Sequence, residues 1–202
     1  MFKYTIPYFL QLLSNRYVWK VKTNDKKLYL TFDDGPHPEI TLWVLNELEV
    51  YNAKATFFCV GDNVKKYPET FQLIKQNAHA VGNHTNNHLN GWKTSNKVYF
   101  ENIQNANELI QSNLFRPPFG RIKFSQSKII REKYKIILWN RLSMDYKKNL
   151  NIAQSLKAMK QKPHNGNIFV FHDSEKAFEN LKLLLPEILK YFSDNGYQFC
   201  AL

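Results

Sequence analysis

Hydrophobic and polar positions along the chain follow two alternating periods. Short apolar or alternating runs predict strands at Leu28 to Phe32, Ala55 to Val60, Ala78 to Gly82, Leu114 to Arg116, Ile136 to Trp139, Asn167 to Phe171 and Tyr197 to Cys200. Between them, apolar residues three and four apart predict helices. These fall at Glu39 to Glu49, Pro68 to Gln76, Asn96 to Gln111, Ser125 to Glu132, Ile152 to Met159 and Phe178 to Phe192. Pro68 suits a first helical turn, whereas Pro186 predicts a kink or restart in the last helix. About seven strands separated by helices is the rhythm of βα units on a mostly parallel sheet, open or closed into a barrel. Residues 28–202 are expected to form one domain, with residues 1–27 packed on it. There Phe2, Ile6, Phe9 or Leu10, Leu13 and Tyr17 can share a helical face that caps the body.

Composition narrows the function classes. The 202 residues are 44% hydrophobic, with 15 Phe, 11 Tyr and 4 Trp, which excludes a disordered chain. Cys59 and Cys200 are too few for a disulfide framework or a cysteine metal motif, and Cys59 reads as a small buried hydrophobe. A formal charge of +11 raises the question of a polyanion, but the lysines are scattered and form no arginine-rich stripe. No nucleic acid partner is therefore expected. The same charge fits attraction to anionic lipid or a cell-surface polymer. Met1 to Leu13 is too short and broken to span a bilayer and lacks a small-residue cleavage site. A monomer, cytoplasmic or peripherally associated with an anionic membrane, is the expectation.

The unusual polar residues cluster just after predicted strands, where chemistry gathers in parallel α/β folds. Thr31-Phe32-Asp33-Asp34-Gly35-Pro36 sets two carboxylates side by side, an arrangement in which each raises the other's pKa. A cation and a proton-transfer task would divide the pair, one carboxylate binding metal and the other staying free as a base. His84-Thr85-Asn86-Asn87-His88 offers two imidazoles four apart, as on one face of a helical turn. Two histidines and a carboxylate with an open position form a catalytic metal arrangement. Arg116-Pro117-Pro118-Phe119-Gly120 is a stiff loop able to set a guanidinium against a carboxylate and the Phe119 N–H toward an oxyanion. His172 ends a buried strand and can act as an acid, with Asp145 as an orienting or pKa-raising partner. His37, His79 and His164 fit a metal sphere less well and are left out of it.

These segments, in this order, resemble the five motifs of the polysaccharide deacetylase family (NodB-homology domain, carbohydrate esterase family 4). Trp139 to Tyr146 resembles the fourth motif and Val170-Phe171-His172 the fifth. The resemblance implies an α/β fold, a distorted (β/α)7 barrel, and hydrolytic N-deacetylation of an N-acetylated sugar with release of acetate. It implies Asp34, His84 and His88 as ligands of one divalent metal, usually Zn2+, with Co2+, Mn2+ or Ni2+ as alternatives. Asp33 would be the base, tethered by Arg116, and His172 the acid, tuned by Asp145. Phe119, Tyr146 and Val170 would supply the oxyanion contact and the acetyl pocket. Tyr146 stands where the family commonly has Trp, Leu142 where it has Asp, and Val170 where it has Leu, which bears on substrate shape. Expected partners are an N-acetylated polymer, an oligomer or a glycolipid head group. Acetyl-ester hydrolysis and a catalytically silent carbohydrate-binding domain are the competing functions.

Overall fold

The computed structural model describes residue 4, residues 16–161 and residues 165–202. The N-terminal face from Phe2 to Leu13 and His164 lie outside these residues. In chain order the elements are β1 (Lys27–Asp33), α1 (Ile40–Val50), β2 (Ala55–Cys59), α2 (Gly61–Lys66), α3 (Pro68–Gln76), β3 (Ala80–Asn83), α4 (Asn96–Ile110), β4 (Leu114–Phe115), α5 (Phe124–Ile130), β5 (Lys135–Ile136), β6 (Arg141–Leu142), α6 (Ile152–Lys160), β7 (Ile168–His172), α7 (Glu175–Asp194) and β8 (Gln198–Phe199). Single 3-10 turns lie at Gly91–Lys93 and Pro118–Gly120.

The strands pair in parallel in the order β5-β4-β3-β2-β1-β7-β6, and β8 joins the start of β1. The two outer strands of that path, β5 and β6, are consecutive in the chain and joined by residues 137–140 alone. Five residue steps from Ile136 to Arg141 reach at most about 18 Å. Seven strands laid flat would hold those edges about 29 Å apart. The sheet therefore curls until its edge strands come within that reach, giving the distorted (β/α)7 barrel expected from the sequence. At one end of this connection Ile137 N donates to Phe115 O at 2.8 Å, extending the β4–β5 pairing, and at the other Asn140 N donates to Ile168 O at 3.2 Å, on the β7 side. Val18 and Tyr4 lie there too: Val18 forms a bridge with Ile137, and Leu142 N donates to Tyr4 O at 2.9 Å.

β1 shows how sequence alternation places the chemistry. Leu28, Leu30 and Phe32 face outward into the main core with Val44, Leu48, Leu185 and Leu189. Phe32 stacks on Phe57 and Phe171, with ring centroids 5.0 and 5.8 Å away. Each such buried side chain contributes about 1.5–3 kcal/mol. Tyr29, Thr31 and Asp33 take the opposite, inner face by the two-residue period of a strand, and Tyr29 joins Phe58, Ile137 and Ile168 there.

Two local expectations are corrected. Of the kink or restart expected at Pro186, the restart is absent: the last helix runs through it as one element, Glu175–Asp194. Leu181, Leu184, Leu185, Ile188, Leu189 and Phe192 on both sides of the proline are fully buried. Their burial exceeds the roughly 3 kcal/mol that a proline costs within a helix. The segment from His84 to His88 is not a helical turn but a loop, with Thr85 and His88 in the left-handed region at φ +66° and +58°. Its backbone is held from outside and within: Asn102 Oδ1 accepts from Asn86 N, and Thr85 Oγ1 accepts from Leu89 N.

Candidate active site

At the carboxyl ends of β1, β3, β4 and β7 the singled-out residues converge on one cleft of about 530 Å³. Asp33 is the last residue of β1 and is 4% exposed. Arg116, fully buried just after β4, donates from Nη1 to Asp33 Oδ1 at 2.6 Å and to Thr31 Oγ1 at 2.7 Å. Its other nitrogens are held by carbonyls of the β5–β6 connection, Nε by Ile137 O at 3.3 Å and Nη2 by Leu138 O at 3.2 Å. The guanidinium lies 4.1 Å from the Phe58 ring centroid. Burial lowers the Arg116 pKa, but Asp33 opposes this through charge and hydrogen bond. The pair is a buried ion pair with its donors satisfied, the condition under which such pairs are tolerated.

One residue on, Asp34 enters the left-handed region at φ +81°, and the backbone turns away from the strand. That turn sends the second carboxylate to the histidines rather than to the arginine. Asp34 Oδ1 lies 3.1 Å from His88 Nε2 and 3.7 Å from His84 Nε2. One donor atom from each of the three residues falls within 4.8 Å of the others, the metal cluster found among the described residues.

The donor chemistry fits a divalent cation. His84 Nδ1 is 2.8 Å from Arg116 O, which fixes that nitrogen as the N–H and leaves the Nε2 lone pair toward Asp34. Burial lowers the His84 pKa to about 4, so the ring is neutral, as a ligand must be. Burial works to raise the Asp34 pKa, yet the His88 hydrogen bond and the neighbouring imidazoles hold it well below the usual carboxylate range. Two imidazoles and one carboxylate suit zinc and its first-row neighbours.

On the other wall, His172 closes β7 opposite Asp33 in register. Asp145 is fully buried and engages His172 twice, Oδ2 accepting the backbone N–H at 2.8 Å and Oδ1 lying 2.7 Å from Nδ1. Asp145 is itself braced, its carbonyl accepting from Asn180 Nδ2 at 2.6 Å. Burial alone would lower the imidazole pKa, but the charge and hydrogen bond of Asp145, helped by Asp34 and Asp33, raise it to about 9. The Nδ1–H is thereby committed to Asp145, leaving Nε2 for the cleft.

Phe119, Tyr146 and Val170 also line the cleft, as do Trp139 and Leu142. The Phe119 ring is 4.6 Å from His88 and the Tyr146 ring 5.0 Å from His172, both edge-on. Phe119 adopts φ +61°, and the amides of Gly120 and Arg121 bond back to Pro117 O and Pro118 O at 2.9 and 3.1 Å. Gly120, at φ +65°, is required by space as well, because a Cβ there would come 2.8 Å from the Trp139 ring. His37 stays out of the cluster and pairs with Glu175 at 3.4 Å. His79 accepts from Ala55 N at 3.1 Å, and burial lowers its pKa to about 4.

Sequence reasoning missed Asp173. Fully buried behind the metal-facing turn, it accepts from Gly35 N at 3.1 Å and from Thr41 Oγ1 at 2.5 Å. A Cβ on Gly35 would collide with this carboxyl, so the glycine of the first motif leaves room for it. Burial, against the Thr41 hydrogen bond and with Asp34 nearby, raises its pKa to about 8. A carboxylate directly following the strand-ending His172 was the available signal.

Known proteins resemble this chain in sequence and in fold. A family model described as polysaccharide deacetylase matches residues 20–134. A peptidoglycan-N-acetylglucosamine deacetylase of Bacillus cereus is 31% identical over 192 residues, covering 91% of this chain and 90% of its own length. The peptidoglycan-N-acetylmuramic acid deacetylase PdaC of Bacillus subtilis is 30% identical over 188 residues, and there the chain spans only 39% of the relative. Among solved structures, the Bc1960 peptidoglycan N-acetylglucosamine deacetylase superposes with a TM-score of 0.88 at 26% identity, covering 98% of this chain and 95% of that one.

Proposed function

The chain belongs to the polysaccharide deacetylase family and is a metal-dependent hydrolase that removes N-acetyl groups; from that premise we propose the residue roles, the metal and the substrate. Zinc is the proposed metal, held by Asp34, His84 and His88. When bound, it supplies Lewis acidity, which acidifies water and polarises a carbonyl. Asp33 is the general base that takes the proton of the attacking water. Arg116 pairs with it and fixes its direction. The developing oxyanion is met by the Phe119 N–H, in a loop whose next two amides are already committed. His172 holds a proton on Nε2 and delivers it to the departing amine, without which an amide nitrogen leaves poorly. Tyr146, Val170 and Leu142 shape the pocket for the acetyl methyl.

The observation that carries this reading is the separation of two adjacent carboxylates. Asp33 lies in an arginine pair and Asp34 in a histidine cluster, within one cleft that also holds a histidine kept protonated. A silent binding domain would need neither the division nor the raised pKa. The proposed substrate is the N-acetylated glycan of peptidoglycan, as the names of the relatives suggest. The protein is proposed to work as a monomer. Its positive charge favours peripheral contact with anionic polymers or membrane, and no helix among the described residues is long and apolar enough to cross one.

Acetate release tests the reading, measured on peptidoglycan, N-acetylated chitooligosaccharide and acetylated xylan, with chelated protein and after added Zn2+. Zinc-dependent acetate from the amide substrates is expected. Release from acetylated xylan alone would replace the amide assignment with ester hydrolysis.

A further inference from the structure

The cleft carries two cations that the reaction does not use. Arg121 lies on the Phe119 side, its guanidinium 5.3 Å from the centroid of the Trp92 ring. Trp92 is itself held in place, its indole N–H donating to Ile122 O at 3.1 Å. Lys176 lies on the His172 side, its Nζ 5.7 Å from the Tyr146 ring centroid. Both are exposed, and among the described residues neither forms an ion pair with a carboxylate. Glu175, the acid next to Lys176, is turned to His37.

The other charges of the cleft are matched. Asp33 has Arg116, Asp145 has His172, and Asp34 faces the cluster that holds the metal. Arg121 and Lys176 are therefore a positive surplus at the mouth. Two features indicate that this surplus is placed rather than incidental. Lys176 sits in the first turn of α7, where the helix dipole disfavours a cation. Both cations rest on aromatic faces, which locate a positive charge without neutralising it. A neutral acetamido group requires neither.

We propose that Arg121 and Lys176 form an anion-selecting rim, and that the preferred substrate is an acidic glycan bearing a carboxylate on the N-acetylated sugar or on its neighbour. This rests on the deacetylase reading and adds the charge of the substrate and the residues that sense it. Partly exposed ion pairs are individually weak, so two together give a preference of about tenfold, weakened by salt.

The test is binding without turnover, by calorimetry on zinc-loaded Asp33→Asn protein. Each of two glycans is compared with its own methyl ester, one carrying an ether-linked carboxylate on the N-acetylated sugar and one a uronic acid beside it. The expected result is about tenfold tighter binding of at least one free acid than of its ester at low salt. The ratio should fall toward one when Arg121→Gln and Lys176→Gln are added, and toward one in 0.5 M salt as expected from screening. Equal binding of acid and ester in both pairs, or a ratio that survives the double substitution, overturns the proposal. Acetate release from neutral chitooligosaccharide by the unaltered protein is scored separately. Its absence would count against the deacetylase reading, whereas the binding ratio judges the rim alone.

Discussion

Replacing Asp145 by Asn keeps the shape beside His172 but removes the charge, and the effect can be sized from the site. With Asp145 in place His172 has a pKa of about 9, so at pH 7.5 about 97% of the rings carry the proton needed by a leaving-group acid. Without that carboxylate, burial is expected to outweigh the remaining charges of Asp34 and Asp33 and to lower the pKa; a return to the ordinary 6.5 would leave about 9% protonated at pH 7.5. Amide hydrolysis should then fall about tenfold at that pH and recover partly toward pH 6, with the alkaline limb moved down by about two units. Acetyl esters of acidic alcohols need little protonation of the leaving group and should lose much less. The assay is acetate release from both substrate types between pH 5.5 and 10. An alkaline limb that stays in place, or equal losses on amide and ester, would refute the role of the pair. Stability gives a second readout with a definite sign. A histidine whose folded pKa is raised stabilises fully below pH 6.5 and loses that contribution as pH rises through about 9. Denaturant titration of metal-free protein should show a loss of up to about 3 kcal/mol across that window, much reduced in Asp145→Asn.

Three further outcomes are expected. Asp34→Asn should weaken zinc binding measured by chelator competition, whereas Asp33→Asn should keep the metal and lose about 10²–10⁴-fold in rate; the reverse pattern would exchange the two roles. Arg116→Met should destabilise by about 3–5 kcal/mol in denaturant titration, because Asp33 is left buried with an unpaired charge, and a loss below about 1 kcal/mol would show that water reaches Asp33. Gly35→Ala should reduce zinc affinity by displacing the Asp173 carboxyl behind the metal-facing turn, and Asp173→Ala in the same background should recover part of it if collision is the cause.

Much of this was legible in the sequence because the informative residues are those with no inexpensive bland role. Adjacent aspartates, paired histidines and an arginine before two prolines all follow strands, and the strands announce themselves through apolar runs such as Phe57 and Phe58. The conformation of the His84 to His88 loop was not legible, since spacing alone fits a helical turn equally well. The convergence depends instead on left-handed residues fixed by Asn102, which is distant in the chain. The uninterrupted last helix was hidden for a related reason: proline is a local signal, and the six buried side chains that outweigh it act through tertiary packing. Asp173 escaped because its task, bracing Gly35 and Thr41, exists only once β7 lies beside β1.

The short arch of residues 137–140 links the two edges of the curled sheet, and its first two carbonyls also hold the guanidinium that holds Asp33. Barrel closure and the aim of the base are thus one mechanical system. A residue inserted in the arch would relax the reach that forces the edges together, and the sheet could accommodate it by opening slightly. Arg116 would then lose its two carbonyl anchors while its fold neighbours stayed in place. The arch is a point at which length variation tolerated by folding would be read directly as a mistuned base, so divergent chains of this shape should vary at the helices and loops before they vary there.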